Sequence, residues 1–392
     1  MKHYSHLHTA ATVLDQYKGQ QPFGIFLKDF FRADKKYGSK DRKRIASLCY
    51  SYFRLGKLAA GADTEERILL GLFVCTTEPD DLLQAIKPEW NEQVTLKPED
   101  KLLLAAYPFS PAAVFPALDH LEKEMDTNAF VLSHFQQPDL FLRLRPGWEE
   151  KVKAELTKAA IPFNTISSAC LALPNASKLD DVIEVNKEAV IQDYSSQRVG
   201  ELLHFPEGFL PGRVWDCCAA SGGKSLLIYD QYPQIKLMVS DVRENILANL
   251  SKRFKEAGIK HYESFVADLS RPVNPGRSFD LIIADVPCTG SGTWGRTPEQ
   301  LFFFKEEKVK EYADRQKKIV LHTLPHLRAG GYFLYITCSV YQQENTEVIE
   351  FIQQETNLKL IRSALLKGYA TKADTLFAAL LQKPGGIEKD QL

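Results

Sequence analysis

Hydrophobic residues in the first third of the chain recur at helical spacing. Five of them fall at i, i+3, i+4, i+7 and i+8, which places them on one face of a helix: Phe23, Phe26, Leu27, Phe30 and Phe31. A second helix with the same spacing is predicted after Ser39, which is a plausible N-cap. The pattern also predicts helices over 65–75, 98–107 and 111–125. We therefore expect residues 1–130 to form an all-α domain in which these aromatic side chains are mostly core.

The pattern changes over residues 131–190. Apolar and basic residues alternate over 141–146, as in a strand with one solvated face. A helical pattern follows over 149–159, and a short apolar strand is predicted over 169–173. This part of the chain is therefore predicted to be a small α+β linker domain.

From Gly212 onward, apolar strands alternate with helices. The predicted strands cover 214–218, 235–240, 279–284 and 332–336, and a long helix is predicted over 305–328. Such alternation predicts an α/β fold with a mainly parallel sheet that helices cover on both faces. Ligands of these sheets bind at the carboxyl ends of the strands. The side chains predicted at those ends are Asp216, Asp241, Asp285 and Cys338.

Composition and charge narrow the class of protein. The chain has 392 residues, of which 44% are hydrophobic and 25% are charged. This composition excludes collagen-like, disordered and disulfide-scaffold proteins. The net charge of −1 also excludes a uniformly basic nucleic-acid module, yet residues 1–60 carry 12 Lys and Arg against 4 Asp and Glu. Residues 61–130 carry 5 against 14. The basic end suits either an RNA-facing surface or a solvated helix face, and its candidate RNA-binding side chains are Lys40, Arg42, Lys43 and Arg44.

Neither a membrane segment nor a metal site is predicted. No apolar run approaches the roughly 20 residues of a membrane span, and no apolar segment of a secretory signal follows Met1. The seven cysteines are scattered and include no Cys-x-x-Cys pair, so no disulfide framework or zinc site is expected. We expect a reduced, cytoplasmic protein.

A glycine turn lies between the first predicted strand of the α/β region and its helix. Residues 219–225 read Ala-Ala-Ser-Gly-Gly-Lys-Ser, and glycines there let a ligand approach a helix N-terminus closely. The Gly-Lys-Ser sequence does not form a Walker A loop, because that motif requires glycine at position 218, where this chain has Cys. The dinucleotide-binding motif G-x-G-x-x-G is also absent. Asp241 follows about 20 residues later, where a carboxylate can accept both hydroxyls of a ribose. With Asp268 after the next strand, the spacing predicts a pocket for an adenosine-bearing ligand without a phosphate grip, which S-adenosylmethionine fits.

Two cysteines, Cys288 and Cys338, each follow an apolar strand of the same sheet. Cysteine is most often a small buried hydrophobic residue, and for either one alone that interpretation stays open. Two thiols at a ligand-binding edge also suit methylation of cytosine C5, which is a poor nucleophile. A thiolate that adds to C6 moves electron density onto C5, which can then take a methyl group from a sulfonium. One cysteine would attack, the other could assist release, and Asp285 would bond the N3/N4 edge of the base.

Three motifs of this region resemble those of the Sun/RsmB/NSUN family of RNA cytosine-5 methyltransferases. Residues 216–224 resemble D-x-C-A-A-P-G-G-K, with Ser221 where proline is usual. Residues 285–292 resemble D-A-P-C-S-G-x-G. Residues 335–346 resemble Y-S-T-C-S followed by E-N-E, with Thr346 in place of the last Glu. Residues 192–197 and 374–379 are similar to two further family segments, Q-D-x-x-S/A-Q and D-G-F-F-x-A.

The resemblance implies a fold, a cofactor and a substrate. It implies a Rossmann-like class I methyltransferase domain over 191–392, a small α+β linker domain over 131–190 and an all-α NusB-like domain over 1–130, the last chiefly through residues 38–42. S-adenosylmethionine is then the cofactor, Cys338 the nucleophile and Cys288 the release cysteine. The partner implied is RNA, with small-subunit ribosomal RNA as the substrate, and we expect a monomer without membrane association. The implied cofactor site comprises Cys218, Ala219, Ala220, Ser221, Gly222, Gly223, Lys224, Asp241, Asp268 and Asp285.

Two other functions stay open. A DNA cytosine-5 methyltransferase would use Cys288 as its nucleophile and leave Cys338 dispensable. A non-catalytic RNA-binding ribosome-assembly factor could keep the methyltransferase fold as a scaffold. An exocyclic-amine methyltransferase is disfavoured, because it would carry Asn/Asp-Pro-Pro-Tyr where residues 285–288 read Asp-Val-Pro-Cys.

Overall fold

The computed structural model describes residues 2–34 and 36–385. The chain divides into two compact units, and each combines segments that are distant in sequence. The first unit contains the residues up to 121 together with 125–137 and 294–306. The second contains 122–124, 138–293 and the residues from 307 onward.

Helices make up the regular structure of the N-terminal part of the first unit, and a 3₁₀ turn at Leu118–His120 joins the last two. They are α1 Lys2–Gln16, α2 Phe23–Ala33, α3 Ser39–Arg54, α4 Thr64–Cys75, α5 Asp81–Ile86, α6 Pro88–Asn91, α7 Pro98–Leu104, α8 Pro111–Val114 and α9 Thr127–Ser133.

The predicted aromatic face of α2 packs inward, but two sequence predictions in this unit are wrong. Phe23, Leu27 and Phe31 are buried, as the helical spacing predicts. The N-cap of α3 is Gly38 rather than Ser39, because the Gly38 N–H donates to the Asp41 carboxylate at 3.2 Å. The helix predicted over 111–125 ends at Val114. Pro116 follows two residues later, and it restricts the residue before it and has no N–H to donate to a helix.

Arg54, at the end of α3, holds the distant segments of the first unit together. Its guanidinium is buried and donates to the carbonyl oxygens of His134 at 2.7 Å, Gln136 at 3.0 Å and Gly295 at 2.9 Å. The neighbouring Trp294 is also buried. Residues 294–306 are therefore part of the core of this unit, although they lie far from it in sequence.

The second unit begins with a four-stranded antiparallel sheet in the order β2-β3-β1-β4. Its strands are β1 Leu140–Leu144, β2 Asn164–Ser167, β3 Cys170–Leu173 and β4 Ala189–Ile191, with helix α10 over Glu149–Lys158. The predicted strands and helix of this region are confirmed. The sequence pattern misses β2, which is polar and mostly exposed, and β4, which has only three residues.

A seven-stranded sheet forms the remainder of this unit. Its strands are β5 Arg213–Asp216, β6 Lys236–Asp241, β7 Tyr262–Val266, β8 Phe279–Asp285, β9 Leu327–Thr337, β10 Lys359–Lys367 and β11 Thr375–Gln382. The order is β10-β11-β9-β8-β5-β6-β7, with β11 antiparallel to both neighbours and the other pairs parallel. The chain leaves β5 to one side and later places β8 on the other, so the topological switch point of this doubly wound sheet lies between these strands.

The remaining helices follow in chain order. They are α11 Tyr194–Arg198, α12 Gly223–Gln231, α13 Glu244–Glu256, α14 Glu299–Phe303 (part of the first unit), α15 Glu307–Thr323 and α16 Thr346–Glu355. The helix predicted over 305–328 ends early, at Thr323, because Pro325 follows and β9 begins at Leu327. Within the described part of the chain, no helix has the length and apolar character that crossing a bilayer requires.

Apolar side chains on both faces of the large sheet form its core. Val214, Leu281 and Leu334 belong to one buried cluster, and their immediate neighbours Trp215, Ile282 and Phe333 belong to another. Successive residues of a strand point to opposite faces, so these strands are buried on both sides. This is the mixed α/β architecture with a parallel-rich sheet that the sequence predicts.

Candidate active site

A cavity of about 460 Å³ opens at the carboxyl ends of β5, β6 and β8. It lies at the switch point of the sheet, where doubly wound folds bind their ligands. Helix α15 contributes one side of the wall through Tyr312, Arg315 and Ile319. The other lining residues include most of the predicted strand-end side chains: Cys218, Ala220, Asp241, Asp268, Asp285, Cys288 and Cys338.

The glycine turn of residues 218–224 adjoins this cavity. Two of its residues, Cys218 and Ala220, line the cavity. The other five predicted cofactor residues of the turn do not line it: Ala219, Ser221, Gly222, Gly223 and Lys224. The Ala219 N–H donates to the Ser240 carbonyl at 2.9 Å, which ties the turn to β6. Gly222 has φ +83°, and a Cβ at this position would lie 2.6 Å from the Phe254 ring. Glycine is therefore required where the turn enters α12.

Ser221 stands at the turn position that proline usually occupies in the family motif. Its hydroxyl accepts a hydrogen bond from Arg253 Nη1 at 3.2 Å, and the same nitrogen lies 3.4 Å from its carbonyl oxygen. Arg253 belongs to α13, so the helix after β6 supports the turn after β5. A side-chain hydrogen bond thus constrains the turn where proline would constrain it covalently.

Asp241 ends β6 with a carboxylate that is almost fully bonded. It accepts from the Ala220 N–H at 3.0 Å, and from Arg243 through the backbone N–H and Nε, both at 3.0 Å. Burial works to raise the pKa of the Asp241 carboxyl, but the hydrogen bonds from Arg243 and Ala220 outweigh it and hold the pKa below its usual value. The carboxylate is therefore ionised and can accept hydrogen bonds from hydroxyl groups.

Asp268, after β7, lies at the more exposed side of the cavity. It accepts from the Ser270 N–H at 3.0 Å and the Ser270 hydroxyl at 2.7 Å. These bonds lower the pKa of the Asp268 carboxyl. This side chain also stays negatively charged at neutral pH.

Asp216 differs from the other strand-end acids because it is completely buried. Ser225 donates its hydroxyl proton to Oδ2 at 2.6 Å, and Oδ1 has no hydrogen-bond partner among the described residues. Burial raises the pKa of this carboxyl to about 7, and the nearby Asp285 and Asp241 charges act in the same direction. Asp216 is therefore partly protonated at neutral pH and lies outside the described cavity wall.

Asp285 and Lys224, both predicted site residues, form an ion pair. Lys224 Nζ lies 3.0 Å from Asp285 Oδ2 and donates to the Ser196 hydroxyl at 2.7 Å. Ser196 in turn accepts from Gln192 Nε2 at 3.2 Å. The segment 192–197, to which the sequence assigns no function, thus orients the lysine that faces Asp285.

The two cysteines meet at the same end of the sheet. Cys288 follows β8, Cys338 follows β9, and their sulfur atoms lie 3.2 Å apart. The hydrogen bond with Cys338 and, next, burial raise the pKa of the Cys288 thiol well above its ordinary value. Cys288 therefore stays protonated at neutral pH.

Two further buried residues, Glu344 and Asn345, lie near the cysteines. They belong to the segment 335–346 that resembles the family motif with E-N-E, and the sequence assigns them no function. Asn345 accepts from the Thr337 hydroxyl at 2.5 Å and donates to the Ser339 carbonyl at 3.0 Å, on either side of Cys338. Glu344 receives four hydrogen bonds, which are described below. A polar Glu-Asn pair directly before an apolar helix is the signal that could have pointed to this buried network.

The four predicted RNA-binding side chains lie on α3 in the first unit. Arg44 pairs with Asp80 at 2.5 Å, and Arg42 Nε donates to the Tyr37 carbonyl at 2.9 Å. Lys40 and Lys43 are exposed. Their contact with RNA stays a prediction. Among the described residues, no group of three or more His, Cys, Asp or Glu side chains is arranged to hold a metal ion.

The cavity suits an adenosine-bearing cation. The ionised Asp241 faces it at the ribose-binding strand end, further carboxylates lie along the wall, and apolar residues such as Val286 and Ile319 complete the lining. The fold, the glycine turn and this cavity together define a Rossmann-like methyltransferase domain. Residues 211–382 match the family model described as 16S rRNA methyltransferase RsmB/F. This region of the chain is thus similar to the RsmB/F methyltransferases.

Individual relatives agree with this similarity. The ribosomal RNA small subunit methyltransferase B of Serratia proteamaculans is 30% identical over 176 residues, which span 44% of this chain and 40% of that protein. The protein of the same name from Citrobacter koseri is 27% identical over 307 residues, 74% of this chain and 68% of its own length. A solved structure described as PH0851 has a TM-score of 0.69 at 18% identity and covers 97% of this chain and 98% of its own, which supports the fold.

Proposed function

We propose that this protein transfers a methyl group from S-adenosylmethionine to C5 of a cytosine in RNA, with small-subunit ribosomal RNA as the substrate. The observation that carries the proposal is the 3.2 Å distance between the sulfur atoms of Cys288 and Cys338. Two thiols from separate strand ends, both on the wall of one cavity, are what the cytosine-5 reaction needs. The choice of ribosomal RNA rests on the family description and on the names of the relatives.

The cofactor would bind between the glycine turn of residues 218–224, Asp241 and Asp268. When bound, S-adenosylmethionine supplies an electrophilic methyl group. Asp241 accepts hydrogen bonds from the ribose hydroxyls, and Arg243 shares or releases this carboxylate as it does so. The acidic wall favours the positive sulfonium over neutral analogues of similar shape.

In the proposed mechanism, Cys338 is the nucleophile. Its thiolate adds to C6 of the cytosine, and the electron pair displaced onto C5 forms the bond to the methyl group. Asp285 accepts a hydrogen bond from the N4 amine, and its ion pair with Lys224 holds this carboxylate in place. Loss of the C5 proton to a base then expels the Cys338 thiolate. The protonated Cys288 thiol donates to that leaving sulfur as the bond to C6 breaks.

The remaining parts of the chain would hold and deliver the RNA. We propose that residues 1–130 form a NusB-like RNA-holding domain, that 131–190 form a linker domain and that 191–392 carry the chemistry. The protein would act as a cytoplasmic monomer. Lys40, Arg42 and Lys43 are the cations of α3 that we assign to RNA, since Arg44 already pairs with Asp80.

Two cysteine variants test the chemistry. Cys338→Ala should abolish methyl transfer while RNA still binds, and Cys288→Ala should accumulate a covalent protein–RNA adduct that survives denaturing electrophoresis. Cys75→Ala, a cysteine of the first unit, serves as the matched control and should turn over normally. Normal turnover by Cys288→Ala without an adduct would contradict the assigned roles. Absence of an adduct in Cys288→Ala, together with retained activity in Cys338→Ala, would instead favour the mechanism of the DNA cytosine-5 methyltransferases, in which Cys288 is the nucleophile.

The substrate needs a separate experiment. Bisulfite sequencing of total RNA from cells with and without this protein should reveal one or a few cytosines whose protection depends on it, in small-subunit ribosomal RNA. Tight RNA binding with no protected cytosine in any RNA would favour the non-catalytic assembly factor. A protected cytosine in another RNA would keep the chemistry and replace the substrate.

A further inference from the structure

Glu344 is a completely buried carboxylate that accepts four hydrogen bonds. Oε1 accepts from the Thr289 N–H at 2.9 Å and from Gln316 Nε2 at 3.0 Å. Oε2 accepts from the hydroxyls of Thr289 and Ser339, both at 2.5 Å. Burial raises the pKa of the Glu344 carboxyl, and the hydrogen bonds from Ser339, Thr289 and Gln316 act against that rise, so the surroundings of Glu344 are organised around this side chain.

The donors come from the two turns that carry the cysteines. Thr289 directly follows Cys288, and Ser339 directly follows Cys338. One carboxylate therefore bonds both turns, and the bond from Gln316 ties it to helix α15 as well. The two turns also touch directly, since the Gly292 N–H donates to the Cys338 carbonyl at 2.9 Å.

A second group of bonds fixes the backbone of Glu344 and the side chain of its donor Gln316. The buried Tyr335 hydroxyl lies 3.0 Å from Gln316 Oε1 and 2.6 Å from the Glu344 carbonyl. Tyr335 is part of β9, so this part of the network rests on a central strand of the sheet. The position of Glu344 is thereby set by rigid elements rather than by the turns that it bonds.

We propose that Glu344 is a positioning residue that holds Cys288 and Cys338 at reacting distance. The role in catalysis rests on the proposed cytosine-5 chemistry, whereas the spacing of the two thiols does not. Glu344 bonds the neighbours of the cysteines rather than the reacting sulfur atoms. Removing its side chain releases both turns at once, which single hydroxyl replacements do not.

The negative charge of Glu344 adds a second effect. The hydrogen bond with Cys338 and burial contribute most to raising the pKa of the Cys288 thiol, and a negative charge on Glu344 acts in the same direction. A carboxylate at this position therefore helps to keep Cys288 protonated, as the donor role in release requires. An amide would keep the turns bonded but lose this charge, so the two contributions can be separated by substitution.

Three variants separate position from charge. Glu344→Ala removes all four bonds. Glu344→Gln keeps their number, since the amide oxygen can still accept from the two N–H donors and the amide nitrogen can donate to the two hydroxyl oxygens. Glu347→Gln, at an exposed position of α16, is the matched control.

Phenylarsine oxide measures the distance between the two thiols without any methyl transfer. The arsenical bonds two neighbouring thiols and releases one water, and capture of the second thiol is an intramolecular step that depends on its distance. Intact-protein mass spectrometry in the presence of excess 2-mercaptoethanol should show one retained arsenical on the wild type. Cys288→Ser, which lacks the pair, gives the background from the other thiols. Glu344→Ala should lose about 100-fold in arsenical affinity, and Glu344→Gln and Glu347→Gln should stay near the wild type.

Kinetics supply the second measurement. Displaced thiols should lower kcat of Glu344→Ala by about 100-fold and leave KM for RNA nearly unchanged, because a misplaced reacting group affects the chemical step. Glu344→Gln should recover most of that loss. Its Cys288 thiol, measured by alkylation in a Cys338→Ala background, should react at lower pH than with Glu344 in place.

Wild-type arsenical affinity in a folded Glu344→Ala variant would overturn the proposal. If that variant does not fold, Ser339→Ala and Thr289→Val decide the question, since each removes one hydroxyl donor and should weaken arsenical binding. Unchanged binding in both would overturn the proposal equally. Loss of the arsenical in Glu344→Ala without any RNA adduct from Cys288→Ala would reject the proposed function but keep the positioning role.

Discussion

Replacing Gly222 by alanine should destabilise the second unit through its glycine turn. The residue has φ +83°, and an added Cβ would lie 2.6 Å from Phe254 Cε1 and 3.1 Å from Leu250 Cγ. Both neighbours belong to the buried cluster on that face of the sheet. The left-handed backbone should cost about 1–2 kcal/mol and the overpacked contact about 1–3 kcal/mol. We therefore expect Gly222→Ala to lose about 2–5 kcal/mol of unfolding free energy.

Gly258 provides a matched control for the backbone part of this cost. It has φ +78°, and no described atom lies within 4 Å of its added Cβ. Gly258→Ala should therefore lose only the backbone contribution, about 1–2 kcal/mol. Urea unfolding followed by circular dichroism compares the two variants through their midpoints at equal slope. Calorimetric titration with S-adenosylmethionine should show weaker binding for Gly222→Ala alone. Equal destabilisation of the two variants would refute the packing explanation.

Three further predictions concern the same sheet edge. Burial raises the pKa of the Asp216 carboxyl to about 7, so the stability that this group contributes at low pH is lost as the pH rises from about 4 through 7. The unfolding free energy of Asp216→Asn should therefore rise relative to that of the wild type by about 1.4 kcal/mol per pH unit in that window. Thermal melts across these pH values measure the gain, and parallel curves would contradict it. Arg253→Ala removes the bond to Ser221 and a bond to Asn186 at 2.7 Å, so it should cost about 1–2 kcal/mol, and Ser221→Pro in that background should restore the part that comes from the turn in urea unfolding. No recovery would show that Arg253 does not replace the proline. Asp241→Asn should weaken S-adenosylmethionine binding about tenfold or more in calorimetry, because the bonds lost are to a charged acceptor. Unchanged affinity would exclude this carboxylate from the ribose site.

Local patterns were sufficient to predict the strand-end residues of the large sheet. Strands β5, β6 and β8 each contain an unbroken apolar run, at 214–215, 237–239 and 281–284, and only strands buried on both faces need such a pattern. Once the sheet is parallel, their carboxyl ends share one edge. Cys288 and Cys338 meet there for this reason, although 50 residues separate them.

Features that depend on non-local contacts could not be predicted from local patterns. Strand β2 is polar and mostly exposed, and it exists because β3 provides hydrogen-bonding partners. The role of Glu344 depends on Thr289 and Ser339, which reach it only after β8 and β9 have paired. The early end of α8 is different, because Pro116 is a local signal in the sequence itself and stops the helix despite the apolar spacing that continues beyond it.

The bonds of Arg54 have a consequence for how this protein is synthesised and inherited. The helical unit takes residues 294–306 into its own core, so a chain that stops at residue 137 lacks Trp294 and one of the carbonyl groups that Arg54 bonds. During translation, this N-terminal unit completes its core only after residue 306 has been made, later than most of the seven-stranded sheet. The helical unit therefore cannot finish folding before synthesis of the second unit is well under way, as an N-terminal domain usually does. The helical unit also cannot be gained, lost or exchanged by a single cut in the gene.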